Sequence, residues 1–263
     1  MYFFLLFGRD FNGDGHLDIF VITATDFTSD KPRGVTTKNT LHLNDGTGNF
    51  QASPLVGVIT EGTPFMSFSE FYEQTGYHNI ESMGIVTGDF DGDGDIDVFI
   101  VTKRAPVNNL LLINDGFGNF TEVEGGDATK ALTSAQAVVS CDIDGDGDLD
   151  IYIRGRPNVL LLNDGTGNFT QAGNDVVGDI QSEDEPWLPP LCFDATGNGQ
   201  MDLWASRKSL NLNKGNWPHT EAETGNAVQA FSTETRFAHV LDADNDGDMV
   251  RSIIRHQAAI TFY

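Results

Sequence analysis

The sequence predicts an all-β fold, a β-propeller of four-stranded blades. Three observations carry this prediction. An acid-rich loop recurs with a period near fifty residues. A second motif, Asn-Asp-Gly-x-Gly-Asn-Phe, follows the first three loops and decays after the fourth. The segments between are short, apolar and rich in β-branched and aromatic residues, with no long stretch of helical period.

The acidic loop reads DFNGDGHLD from Asp10, DFDGDGDID from Asp89 and DIDGDGDLD from Asp142. Weaker copies are DATGNGQMD from Asp194 and DADNDGDMV from Asp242. Successive starts lie 79, 53, 52 and 48 residues apart. The long first interval holds insertions at about 26–38 and 60–80, polar or punctuated by Gly and Pro, which read as loop excursions. After the loops come IFVIT, VFIVT and IYIRG, not strictly alternating, which predicts strands covered on both faces. An aromatic residue recurs at one position, Phe20, Phe99, Tyr152 and Trp204, and is expected to pack between blades. Next come LHLNDGTGNF ending at Phe50, LLINDGFGNF at Phe120 and LLLNDGTGNF at Phe169. Each predicts a strand, a tight turn with glycines at positive φ, and a strand. The fourth copy is LNLNKGNW, ending at Trp217. Each unit thus has room for about four short strands. The whole chain, 1–263, reads as one propeller region with about five repeats.

The 263 residues are 39% apolar, a folding rather than a disordered composition. The net charge is -24, and 19 of the 39 acids lie in the five loops. Clustered acids point to cation sites, and an acidic chain lacks the basic face that nucleic acid requires. Numbered from the first Asp, positions 1, 3, 5 and 9 carry oxygen side chains, and position 6 is Gly in every copy. Ca²⁺ takes six to eight oxygens in flexible geometry, and a Gly at the bend lets position 7 offer its carbonyl. An EF-hand would need Glu at position 12 and flanking helices. Here position 12 is Val21, Ile100 or Ile153, within a strand-like run.

The pattern D-x-[DN]-x-D-G-x-x-D, then a strand, then LLLNDGTGNF, resembles FG-GAP/VCBS repeats from Asp10 to Asp248. The resemblance implies an integrin-α-like propeller with Ca²⁺ in a hairpin loop of each blade. Carried over by position, the second loop uses Asp89, Asp91, Asp93 and Asp97 with the Asp95 carbonyl. The third uses Asp142, Asp144, Asp146 and Asp150 with the Asp148 carbonyl. The first uses Asp10, Asn12, Asp14 and Asp18 with the His16 carbonyl, and is weaker for its neutral Asn. The fifth keeps Asp242, Asp244 and Asp246 but has Val250 at position 9. The fourth keeps Asp194 and Asp202, with Thr196 and Asn198 replacing acids. The expected order of affinity is second and third, then first, fifth and fourth.

The resemblance further implies an extracellular or cell-surface module that binds a protein or glycan, with calcium structural. Its alternative is the propeller portion of a carbohydrate-active enzyme, a polysaccharide lyase or hydrolase. A third reading is a purely structural array. The ligand surface is expected on loops, the first-interval insertions and IQSEDEPWLPP. Such propellers usually have seven blades, so a partial or truncated ring is expected, closed by other blades or chains. Both ends are expected to cut through a repeat, with residues 1–9 supplying only the last strand of a missing blade.

No catalytic constellation is visible. The six histidines show no H-E-x-x-H spacing, and no G-x-S-x-G elbow or phosphate-cradling loop occurs. The expectation is therefore a non-enzyme. MYFFLLF is too short for a membrane span of about 20 residues and lacks the flanks of a signal peptide. Cys141 and Cys192 lie one and two residues before their loops, so their side chains point to opposite faces of equivalent strands. Two free, buried thiols are expected, with a disulfide as the alternative. Asn119 and Asn168 form NFT sequons, but Asn49 holds the same place without one, so a role in the turn is the expectation.

Overall fold

Apolar β-branched runs flank the acidic loops, and in the computed structural model these runs are strands. The structure describes residues 2–25, 40–53, 82–102, 108–130, 135, 137–155, 157–173, 190–194, 197–206, 209–212, 220–221, 235–241, 250–255 and 261–262. No helix occurs among them. The insertions at 26–38 and 60–80, the IQSEDEPWLPP stretch apart from its last residue, and Trp217 lie outside the described residues.

The first sheet is β1 (Tyr2–Arg9), β2 (Asp18–Thr25), β3 (Thr40–Asn44) and β4 (Phe50–Ser53). The second is β5 (Ser82–Gly88), β6 (Asp97–Thr102), β7 (Leu110–Asn114) and β8 (Phe120–Glu122). The third is β9 (Ala137–Cys141), β10 (Asp150–Arg154), β11 (Val159–Asn163) and β12 (Phe169–Gln171). The fourth is β13 (Leu191–Phe193), β14 (Asp202–Ser206), β15 (Ser209–Leu212) and β16 (Thr220–Glu221). The last has three described strands, β17 (Thr235–Leu241), β18 (Val250–Arg255) and β19 (Thr261–Phe262). Every neighbouring pair is antiparallel and consecutive in sequence. Four-stranded meanders repeating along the chain are the blades of a β-propeller fold. The chain divides into two compact units, 1–133 with the first two sheets and 134–263 with the other three.

The strand pairing corrects one expectation. Residues 2–9 are the first strand of a complete sheet, not the last strand of a missing one. All eight pair with β2, from Tyr2↔Thr25 to Arg9↔Asp18. An eight-residue connection, 10–17, returns the chain antiparallel onto its own predecessor, so the acidic loop joins strands one and two within a sheet. The sheet boundary falls after the strand that follows Asn-Asp-Gly. At the other end, the unusual run after Asp248 still forms β18, paired along its length with β17.

Within each unit the core lies between neighbouring sheets. In the first, Phe11, Phe20 and Leu41 from one sheet meet Ile85, Val98, Ile100, Leu112 and Phe120 from the next. Phe11, Phe20 and Phe120 form a ring cluster with centroids 5.9–6.1 Å apart, two of the three pairs edge-on. Strands β6 and β10 are buried at every residue, as expected of strands covered on both faces. The recurring aromatics Phe20, Phe99, Tyr152 and Trp204 are all buried.

The cysteines are not free thiols. Cys141 on β9 and Cys192 on β13 form a disulfide, with Cα atoms 6.4 Å apart. Opposite faces of equivalent strands are the faces that meet when one sheet stacks on the next. The offset that argued for separation therefore brings the two sulfurs together. Leu203 of the fourth sheet packs with Cys141, Tyr152 and Leu160 of the third around this bridge.

Candidate metal centre

Each of the four described loops is built around its first acid. The Asp89 carboxylate accepts from Gly92 N at 2.8 Å and Gly94 N at 3.0 Å. Asp142 accepts from Gly145 N at 2.7 Å and Gly147 N at 3.1 Å. Asp194 accepts from Gly197 N at 2.8 Å and Gly199 N at 2.6 Å. Asp10 accepts from Asp14 N at 3.1 Å and Gly15 N at 2.8 Å. Position 6 needs glycine because φ there is strongly positive, 95° at Gly94 and 101° at Gly147. Positions 3 and 5 close smaller turns: Asp91 and Asp93 accept from the amides of Asp93 and Asp95, and Asp144 and Asp146 from those of Asp146 and Asp148.

The ninth residue behaves differently. Asp18, Asp97, Asp150 and Asp202 are fully buried. Asp97 Oδ2 accepts from Phe90 N at 2.8 Å, and Oδ1 accepts from Asn114 N at 2.8 Å. Asp18 takes the amides of Phe11 and Asn44, and Asp150 those of Ile143 and Asn163, at 2.8–2.9 Å. The Asn of the Asn-Asp-Gly turn answers with its own side chain. Asn44, Asn114 and Asn163 donate Nδ2 to the carbonyls of Leu17, Ile96 and Leu149. The two repeated motifs are thus one interlocked structure. Asn114 also donates to the Phe11 carbonyl at 2.9 Å, tying the second sheet's turn to the first acidic loop.

The fully acidic loops gather their charge. One oxygen each of Asp89, Asp91 and Asp97 lie within 4.8 Å of one another, as do those of Asp142, Asp144 and Asp146. Asp93 and Asp150 stand outside these two triads, and the first loop forms no carboxylate triad among the described residues. Burial, then the Asp93 charge, pushes Asp91 above the ordinary carboxylate range. Burial and Asp146 do the same to Asp144. Burial pushes Asp97 up to about 6 and Asp150 to about 7, against the backbone amides that lower both. In the first loop the neutral Asn12 replaces one acid, and the His16 amide holds Asp14 below the usual range. All the donors are oxygen, crowded and mutually repelling, and a hard divalent cation is what such a set accommodates.

Position 7 does not aim its side chain at the triad. His16, Asp95 and Asp148 lie over Gly46, Gly116 and Gly165 of the following turn, where any Cβ would collide with them. This leaves the backbone as their route to a metal. Asp242, Asp244 and Asp246 lie outside the described residues, as does Thr196.

Three kinds of residue escaped the acid-centred reading. Position 2, Phe11, Phe90 and Ile143, is buried and carries the amide that Asp18, Asp97 and Asp150 hold. The turn Asn is the second. The third is Asn109, buried, which accepts from Thr102 N and donates to the carbonyls of Ala128 and Lys130, closing the other end of the β6–β7 hairpin. Apolar side chains at position 2 and the Asn of NNLLL and PNVLL were the available signals. The sequon residues Asn119 and Asn168 are exposed and donate Nδ2 to Asp115 and Thr166, and Asn49 donates likewise to Asp45 and Thr47.

Four-stranded antiparallel sheets, three of them with an Asp-rich loop between their first two strands locked to an Asn-Asp-Gly turn, define a repeat protein of β-propeller type. Residues 89–153 match the family model of the FG-GAP-like repeat. The match runs from the second acidic loop through the third, so this stretch is similar to the FG-GAP-like repeat. No curated protein matches the chain. No helix among the described residues is long and apolar enough to cross a membrane.

Proposed function

We propose that the chain is a calcium-stabilised β-propeller module that binds a protein or glycan, with the calcium structural. The observation that carries this is the pair of carboxylate triads, Asp89, Asp91, Asp97 and Asp142, Asp144, Asp146. Like charges held this close raise the free energy of the metal-free loop, and a bound cation converts that repulsion into attraction. In the second loop Asp97 both offers an oxygen to the triad and holds Asn114 N, so an ion there ties the loop to the next hairpin. The first loop, with Asn12, binds more weakly. Calcium at a hundredfold excess over its dissociation constant adds about 2.7 kcal/mol per site.

The module acts without catalysis in this reading, because the acids available for proton transfer are the ones gathered for the metal. An extracellular or cell-surface setting is supported by the Cys141–Cys192 disulfide, since such bonds persist in oxidising compartments. Calorimetric titration of the chelator-treated chain with Ca²⁺ tests the metal claim. Saturable binding that loses its tightest component in Asp89→Ala with Asp142→Ala supports it. A flat titration, or one unchanged by the double substitution, sinks it.

A further inference from the structure

We propose that Asn12 is a site of spontaneous deamidation, which changes the donor set of the first acidic loop. Asn12 is followed by Gly13, which is exposed and has φ 71°. With no Cβ on Gly13, its amide nitrogen is open to close approach.

The equivalent glycine amides of the other described loops are held by the loop's first acid. Gly92 donates to Asp89 Oδ1, Gly145 to Asp142 Oδ1 and Gly197 to Asp194 Oδ1, at 2.7–2.8 Å. In the first loop Asp10 Oδ1 takes the Asp14 amide instead, and the Gly13 N–H has no partner among the described residues. The Asn12 side chain folds forward over this free amide. Its Oδ1 accepts from Asp14 N at 3.2 Å, and its Nδ2 donates to Asp14 Oδ2 at 3.0 Å.

The Gly13 nitrogen attacks Asn12 Cγ, forming a C–N bond and a five-membered succinimide. Its proton passes through water to the departing nitrogen, which leaves as ammonia. One water then opens the ring at either carbonyl. Opening at one gives aspartyl, and at the other isoaspartyl with an extra methylene in the backbone. No oxidant or cofactor is needed. The aspartyl product supplies the position-3 acid that Asp91 and Asp144 supply in the second and third loops. The isoaspartyl product displaces positions 1 and 3 relative to each other. These consequences for calcium rest on the proposed function, whereas the reaction itself does not.

Asn198–Gly199 is the internal control, because Gly199 N–H is held by Asp194 Oδ2 at 2.6 Å. The full chain is aged in chelator at mildly alkaline pH, digested, and mapped by mass spectrometry with isoaspartyl-specific methylation. The expected result is conversion at Asn12 several-fold faster than at Asn198, with the two rates converging in urea. Asn12 staying intact, or converting no faster than Asn198 in the folded chain, overturns the assignment. So does a rate gap that persists in urea, since neighbouring side chains and not the held amide would then set it. Because no arm contains calcium, a failure of calcium binding leaves this outcome untouched.

Discussion

Asp93 and Asp97 sit in one loop and have separate duties. Asp97 is buried and holds the amides of Phe90 and Asn114. Asp93 is exposed and holds the Asp95 amide. Asp97→Ala orphans two buried donors and should cost about 2–5 kcal/mol in chelator, and more in calcium because it also removes a triad oxygen. Asp93→Ala should change the metal-free stability by less than about 0.5 kcal/mol and remove only part of the calcium increment. Denaturant midpoints of both variants in calcium and in chelator separate the two roles. Protons act on the same residues. The folded pKa values of Asp97 and Asp150, about 6 and about 7, lie above the ordinary 3.8. Folding of the metal-free chain therefore takes up protons, and its stability rises as pH falls from about 7 toward 4. Calcium needs the ionised acids, so its stabilising increment should shrink over the same fall. Melting against pH in chelator and in calcium checks both signs. The acids of positions 1, 3, 5 and 9 were legible in the sequence from spacing alone. The structural duty of position 9 was not, because its Asn114 partner lies seventeen residues away.

At the scale of elements, the acidic loop and the following turn interlock through glycines with different reasons for being glycine. Gly116 has φ 74°, and any Cβ there would collide with the Asp95 carboxylate. Gly94 has φ 95°, with nothing within 4 Å of a Cβ. Gly94→Ala should cost about 1–2 kcal/mol, the strain of a left-handed L-residue. Gly116→Ala should cost more, because the Asp95 side chain must also move. Urea unfolding of the two variants ranks them, and equal costs would show that Asp95 yields freely. The sequence announced the strands and turns through β-branched runs and Asn-Asp-Gly. It misplaced the sheet boundary at residues 1–9, because periodicity marks the length of a repeat and not where its first strand begins.

At the scale of the molecule, the first sheet packs on the second and the third on the fourth, and the latter pair is also joined covalently. The loop closed by Cys141 and Cys192 spans 51 residues. Replacing both with Ser should destabilise the unit spanning 134–263 by about 2–4 kcal/mol, read as a lower urea midpoint under non-oxidising handling of both proteins. The disulfide was not legible, because face direction within one strand says nothing of which sheet stacks against it. Stacking was itself only implied by the repeat. The calcium-loop account is tested most directly by thermal unfolding, followed by circular dichroism, in excess Ca²⁺ and in chelator. The account predicts a β-rich spectrum whose midpoint rises clearly with Ca²⁺, with a smaller rise for Asp89→Ala and Asp142→Ala. A midpoint indifferent to Ca²⁺ would contradict it, leaving the acidic loops as hydrogen-bonded turns without a metal.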